Sequence, residues 1–273
     1  MRRGLPMILI GSTLPLAAAI IPVASYDMPN GGFGSPFQQN CYFDDRYGGA
    51  VTNTCPGGGL APITPDLAAH AYEPLAGSTG DLTDGVVTSL HWHQDNVPWV
   101  GWLDDDQTDP NYCLGTGPLG IVVCPGINGT NPGAGPVELV FHFNGPQMFG
   151  AFRYHGSFND PTGPGGCGAC SAGSVWTPLS VEVTDGVLVR VLTAFPSNVV
   201  GWTAPLDLTG LAGDTLTVRF HFLSEADPMA PNQWIFADEV EFSDIPEPGT
   251  LALLVLGLAA LARRGWTRRL RAR

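Results

Sequence analysis

Residues 91–102 hold the side chains of this chain that are best suited to binding a ligand. They read His-Trp-His-Gln-Asp-Asn-Val-Pro-Trp-Val-Gly-Trp, which places three tryptophans within eleven residues. Sugars present apolar C–H faces that stack on indole rings, while Asn, Asp and His side chains hydrogen-bond their hydroxyl groups. This combination favours a glycan as the ligand.

Only part of this cluster is expected to meet the ligand. Trp92 and Trp102 lie at strand spacing and are predicted core residues. Trp99 follows a proline and is the tryptophan expected to be exposed. The predicted ligand site therefore consists of Trp99, His93 and Asn96.

Acidic residues beside a tight turn suggest a cation site. Ca²⁺ takes about six to eight oxygen ligands from carboxylates and backbone carbonyls. The Asp84-Gly85 turn offers carbonyls beside one carboxylate. The alternative is that Asp84 makes only an Asx turn. The acidic run at residues 104–109 lacks the glycine and the closing glutamate of an EF-hand loop, and we interpret it as a solvated loop.

The chain has six cysteines, an even number that favours three disulfides in an oxidising compartment. The segment Cys167-Gly-Ala-Cys170 resembles a redox-active cysteine pair, but its glycine-rich surroundings favour a structural disulfide within a loop. Zinc is disfavoured because no second Cys or His pair is suitably spaced. Of the fifteen possible pairings, the local ones are predicted: Cys41–Cys55, Cys113–Cys124 and Cys167–Cys170.

Signatures of catalysis are missing from the sequence. It contains no Gly-x-Ser-x-Gly elbow, no His-Glu-x-x-His motif and no phosphate-binding glycine loop. A paired-carboxylate glycan hydrolase stays open, since the many acidic residues allow many pairings. We therefore expect a protein that is not an enzyme.

The charge of the central region excludes a nucleic-acid partner. The chain has no lysine, and residues 26–245 hold four arginines against 24 acidic residues, a net charge near −20 with histidine neutral. Affinity for phosphate comes from Lys and Arg, so this surface repels nucleic acid. It favours divalent cations as counter-ions.

Strand signals dominate residues 26–245. Glycine and proline make 61 of the 273 residues, which breaks helical periodicity, and several segments alternate strictly, as at Val218, Phe220 and Phe222. An antiparallel β-sandwich is predicted. The predicted strands are residues 86–92, 98–102, 137–143, 148–155, 179–184, 187–194, 215–223 and 234–242.

Both chain ends look like targeting segments. Residues 1–25 combine two arginines, an apolar middle and small residues, which predicts a signal helix handled by the Sec machinery and cut by signal peptidase near Ala24 or Ser25. Residues 246–273 hold Pro246-Glu247-Pro248, twelve apolar residues at 251–262 and six arginines within the last eleven residues. Twelve residues are short for a membrane span, although flanking residues extend the stretch.

This tail resembles the PEP-CTERM sorting signal, a bacterial tripartite tail recognised by exosortase-type membrane transpeptidases. The resemblance implies export and a transient anchor in the inner membrane through a single transmembrane helix. It further implies cleavage near Pro246, Glu247 and Pro248 and release to the cell surface or its extracellular matrix. The remaining ectodomain would span residues 26–245.

Three segments of that ectodomain resemble galactose-binding-like (discoidin-like) jelly rolls. They are the Leu-Thr-Asp-Gly opening at residues 80–86, the strand and Asp-Gly turn at 178–186, and the closing strands at 215–220 and 234–242. The resemblance implies a β-sandwich that binds glycans through loops at one end, often with a structural calcium ion. By this resemblance, Asp84 matches the early calcium ligand and Glu239 the late one, and Asp81 could join them.

Three functions follow from these observations. The first is a non-catalytic surface or matrix protein associated with exopolysaccharide. The second is a structural envelope protein without a small ligand. The third is a secreted glycan hydrolase.

Overall fold

The computed structural model describes residues 18–32, 42–49, 73–91, 99–103, 135–158, 174–175, 177–197, 199–226 and 233–244. These residues form β-strands and only short 3-10 turns, so the prediction of an all-β, antiparallel fold is confirmed. The strands are β1 (Val23–Pro29), β2 (Pro74–Ser78), β3 (Val100–Leu103), β4 (Val137–Phe158), β5 (Ser174–Val175), β6 (Ser180–Thr184), β7 (Val189–Leu192), β8 (Val199–Trp202), β9 (Leu206–Asp207), β10 (Ala212–His221) and β11 (Gln233–Asp244).

The long strand β4 joins two sheets. Its first part, up to Met148, pairs with β1 and β10, and from Phe149 onward it pairs with β11, β8 and β9. We predicted two strands interrupted after residue 143, but β10 keeps pairing with Gln147 and Met148, so the strand continues. Gly145 adopts φ 97° within it, a value that favours glycine.

Sheet 1 has the strand order β2–β1–β4–β10–β6–β7. Sheet 2 contains the second part of β4, flanked by β11, β8 and β9, and β11 also pairs with β3 and β5. Among the described strands, every pair is antiparallel except β5 with β11. Strand β1 therefore lies inside sheet 1, between β2 and β4.

The two sheets face each other across an aromatic core. Inward side chains alternate along each strand, as predicted, because successive residues of a strand point to opposite faces. Phe141 of sheet 1 contacts Phe242 of sheet 2 with ring centroids 5.1 Å apart, and Tyr154 meets Phe220 at the same distance. These contacts confirm the predicted β-sandwich.

The prediction of a strand at residues 86–92 is wrong for its described part. Residues 81–83 form a 3-10 turn, and residues 84–91 follow without strand pairing. Backbone N–H groups here bond to side chains instead of to a neighbouring strand: that of Val86 to Asp84, that of Thr88 to Asp238 of β11 and that of Leu90 to Thr88. Strands β1, β2, β5, β8 and β9 were not predicted.

The sandwich is one compact unit, Ile20–Asp244. A second unit, made of residues 1–19 and 245–273, lies almost wholly outside the described residues, as do the greater parts of the predicted signal and tail helices. Residues 23–25, which we assigned to the signal helix, belong instead to strand β1 because they pair with β4. Among the described residues, no helix has the length and apolar character that a membrane crossing requires.

Candidate functional site

The segment that follows the 3-10 turn is bound to the outer side of sheet 2. The backbone N–H of Gly85 donates to Glu239 Oε2 at 2.8 Å, and that of Thr88 donates to Asp238 Oδ2 at 2.9 Å. Further along, His91 Nδ1 lies 3.2 Å from Ser157 Oγ. The structure thus brings the Asp84 turn and Glu239 together across 154 residues of sequence.

A β-bulge in β11 supplies both acceptors. The register shifts between Ala237 and Glu239, so that Asp238 and Glu239 lie opposite the single residue His155 of β4. Bulges re-aim side chains and are enriched near functional sites. The sequence contained no signal for this bulge.

Two buried aspartates, Asp44 and Asp81, lie close to Asp84 and Glu239, and we call these four residues the acidic group. Asp44 Oδ1 accepts from the Asp81 N–H at 2.9 Å, and Asp81 Oδ2 accepts from the Asp45 N–H at 3.1 Å. The Tyr26 hydroxyl donates to Asp44 Oδ2. Asp44 and Asp81 are both buried. Gly80 permits this contact, because a Cβ atom there would overlap the Asp44 carboxylate.

Burial makes these carboxylates hard to ionise. Loss of hydration and the neighbouring Asp44 and Asp45 raise the pKa of Asp81 to about 9. Loss of hydration also raises the pKa of Asp44 to about 6 and that of Glu239 to about 8. For Glu239, the charges of Asp84 and Asp238 add to the effect. Removal from water disfavours the charged form of an acid.

Arg46 lies against this acidic group. Its Nη1 is 2.7 Å from Asp84 Oδ2, and its Nε is 3.6 Å from Asp81 Oδ1. The other oxygen of Asp84 accepts from the Val86 N–H at 2.8 Å, which is the Asx turn that we considered as an alternative. Glu239, in contrast, does not face solvent on an edge strand, because it is buried in a strand that pairs with β4.

These residues fit a calcium ion only in part. Within the described ranges, no three His, Cys, Asp or Glu side chains converge in a geometry that would hold a metal. The donor chemistry nevertheless suits Ca²⁺, which takes oxygen ligands from carboxylates and backbone carbonyls. Asp45 Oδ1 and Thr83 Oγ1 are buried in this region without a hydrogen-bond partner. Asp81, Asp84 and Glu239 are the carboxylates from our prediction.

A buried acid–imidazole pair lies beside the bulge. His155 Nδ1 is 2.6 Å from Asp238 Oδ1, and both side chains are buried. Loss of hydration raises the pKa of Asp238, while the His155 contact opposes that rise. The carboxylate orients the imidazole, since the partner of one ring nitrogen decides the role of the other.

Trp99 is not exposed, and that part of the ligand-site prediction is wrong. Its ring lies 6.1 Å from that of His155 at an interplanar angle of 17°, and its edge-to-face partner is Phe236. Together with Tyr42 and Trp234 it forms a small apolar cluster that leaves its side chain 0% exposed. The predicted core position of Trp102 is confirmed.

A different tryptophan reaches the surface nearby. Trp202 of β8 is half-buried, pairs with His155 across the sheet, and carries the Arg153 guanidinium 4.2 Å above its ring centre. Arg153 Nε also donates to Glu241 Oε2 at 2.7 Å. We call Arg153, Trp202 and Glu241 the Trp202 patch. No sequence signal predicted this patch, because strand β8 is only four residues long.

Several predicted residues lie outside the described part of the chain. They are His93, Asn96, the sorting motif Pro246, Glu247 and Pro248, and the six cysteines Cys41, Cys55, Cys113, Cys124, Cys167 and Cys170. Their predicted roles therefore stay predictions.

The comparisons with known proteins bear mainly on the tail. Residues 244–269 match the PEP-CTERM protein-sorting motif. No curated protein matches the chain. Among solved structures, the X-ray structure of GH31 CBM32-2 bound to GalNAc is 18% identical and covers 42% of this chain and 68% of its own, with a TM-score of 0.24. This similarity is too low to establish a common fold.

The tail match confirms the predicted sorting signal. A PEP-CTERM motif marks an extracellular protein that exosortase sorts to the cell surface. The matched segment begins at Asp244, the last residue of β11. The sandwich therefore ends where the sorting signal begins.

Proposed function

We propose that this chain is an exported, non-catalytic surface or matrix protein of the galactose-binding-like jelly-roll type, associated with exopolysaccharide. Its tail would hold it briefly in the inner membrane before an exosortase releases it. The observation that carries this proposal is the sorting motif that starts on the last strand of an all-β domain. The contact between residues 81–88 and Glu239 supports the jelly-roll assignment, since the resemblance to galactose-binding-like jelly rolls pairs Asp84 with Glu239.

We place the glycan contact at the Trp202 patch. Trp202 presents a half-buried indole at the surface with the Arg153 guanidinium over one face of the ring, and Arg153 and Glu241 form a paired donor and acceptor that a sugar would engage. Such a combination suits a sugar, whose apolar face stacks while its hydroxyls form hydrogen bonds. Trp99 is buried and can support this patch only through His155.

Pull-down on exopolysaccharide from the producing strain tests this placement. Trp202→Ala is expected to reduce retention at least about fivefold, since loss of one good aromatic stacking contact costs about 1–3 kcal/mol. The control is Val187→Ala, a change at a side chain 86% exposed in the turn before β7. Equal retention of both variants would refute the site. No retention of the wild-type protein would favour the purely structural envelope protein.

A catalytic role has its own readout. Release of reducing ends from the same polysaccharide, lost in a single acidic variant such as Asp238→Asn, would replace this proposal by the glycan hydrolase. We expect no turnover, because the described acids near the patch are engaged with backbone N–H groups, with His155 or, for Glu241, with Arg153.

We further propose a structural Ca²⁺ held by Asp84 and Glu239, with Asp81 beside them. Its support is the concentration of buried carboxylates whose ionisation a cation would favour. EDTA is then expected to lower the Tm of the purified protein, and added Ca²⁺ to restore it. Glu239→Gln should remove this response, whereas Glu138→Gln, on the outer face of sheet 1, should keep it. Identical melting curves with and without EDTA would refute the ion.

A further inference from the structure

The fold begins before the position at which we predicted signal cleavage. Ile21 is buried in the main core, and its backbone N–H donates to Phe242 O at 2.8 Å. Ile20 forms a β-bridge with Ser243. These contacts all lie before Ala24, so the residues from Ile20 onward belong to the folded domain.

A cut at Ala24 or Ser25 would damage a central strand. Strand β1 lies between β2 and β4, and Val23 pairs with Phe143 of β4. The cut would remove Val23 together with the buried Ile21. A mature protein cut there would lose the ladder at the start of β1 and a side chain of the core.

The residues just before the fold offer a better position. Residues 17–19 are three consecutive alanines, and signal peptidase requires small residues in an Ala-x-Ala arrangement before the cut. Ala19 is exposed, and the compact unit starts at Ile20. We propose that signal peptidase hydrolyses the Ala19–Ile20 peptide bond. Water adds to the Ala19 carbonyl carbon, and the Ile20 amino group is released.

This position also relates the two ends of the domain. Because Ile20 bridges Ser243, the new amino terminus lies beside the end of β11, where the sorting motif begins. The chain therefore enters and leaves the sandwich at one place. Cuts before Ile20 and after Asp244 remove no strand residue, so the domain keeps every pairing described above.

The inference rests on the proposed export and is tested on the full chain, expressed in a Gram-negative host and recovered from the periplasmic side. Intact mass and N-terminal sequencing give the cut position. We expect the sequence to start at Ile20. The matched variants are Ala19→Gln, which should leave the precursor uncut, and Ala24→Gln, an exposed strand position that should be processed as the wild type is.

The outcomes separate the two proposals. A mature chain that starts at Ser25 or Tyr26, or an Ala24→Gln variant that stays uncut, overturns the inference while export stands. A wild-type chain that stays full-length in the cytoplasm overturns the proposed export and this cut together. Processing at Ile20 that Ala19→Gln abolishes supports both.

Discussion

Glu239 provides the sharpest test of the acidic site. The residue is 5% exposed, and its carboxylate accepts one hydrogen bond from the Gly85 N–H. Burial first, and then the charges of Asp84, Asp238 and Glu241, raise its pKa from 4.5 to about 8. Glu239→Gln keeps an oxygen that can accept the Gly85 hydrogen bond but has no charge at any pH.

The sign of the pH dependence follows from proton counting. Between pH 4.5 and about 8 the unfolded chain has lost this proton while the folded chain retains it. The free energy of unfolding therefore falls as pH rises, by about 1.4 kcal/mol per pH unit for one proton. Over that interval the full loss is about 5 kcal/mol, an upper limit for a group with partial hydration. Above the folded-state pKa the loss levels off.

Urea denaturation in EDTA at pH 5, 6, 7 and 8 measures this loss. Asp81 and Asp44 have raised pKa values too, and they contribute the same downward trend in both proteins. We expect wild type and Glu239→Gln to have similar stability at pH 5, and the variant to be several kcal/mol more stable at pH 8. Glu138→Gln should follow the wild type. Parallel curves for wild type and Glu239→Gln would refute the reasoning.

Two further predictions concern the contacts that build the acidic group. Gly80→Ala should lower the free energy of unfolding by about 1–3 kcal/mol, since the new Cβ overlaps the Asp44 carboxylate. The control is Gly201→Ala, which has open space around its Cβ and should change the free energy of unfolding by less than about 0.5 kcal/mol. Equal urea midpoints for the two variants would contradict the close contact. Tyr26→Phe should cost about 1–3 kcal/mol because it removes the Tyr26 donor from the buried Asp44 Oδ2, and a variant as stable as the wild type would show that the hydroxyl contributes nothing there.

The fold was predictable where a local pattern repeats. Val218 and Phe220 alternate with polar residues because one face of the strand is buried and the other faces solvent, and that period is visible in the sequence. Trp99 was not predictable in the same way. Its burial depends on Phe236 and His155, more than fifty residues away, and no local pattern shows that partnership.

The site was half predictable for the same reason. The resemblance to galactose-binding-like jelly rolls paired the Asp84 turn with Glu239, and the structure brings them together. Asp44 and Asp81 meet across 37 residues, between segments that carry no periodic signal. The bulge that turns Asp238 toward His155 is a property of the register between β11 and β4, which a single strand does not reveal.

Arg46 supplies positive charge to the acidic group through its ion pairs with Asp84 and Asp81. It holds one oxygen of Asp84 and approaches Asp81, so a cation bound to these carboxylates would compete with its guanidinium. Removing the arginine leaves the acids with two sources of compensation, protons and a divalent ion. Arg46→Gln should therefore destabilise the protein in EDTA and at the same time bind Ca²⁺ more tightly, because an Asp84 oxygen is freed.

Calorimetric titration with Ca²⁺ at pH 7.5 measures this competition. We expect the Kd of Arg46→Gln to be about tenfold lower than that of the wild type, which corresponds to about 1.4 kcal/mol. Arg219→Gln, which removes an arginine paired with Glu138 on the other sheet, should leave the Kd unchanged. Weaker Ca²⁺ binding after Arg46→Gln would mean that the arginine organises the ion's ligands instead of competing for them. No heat in any variant would mean that protons and Arg46 alone balance these buried carboxylates.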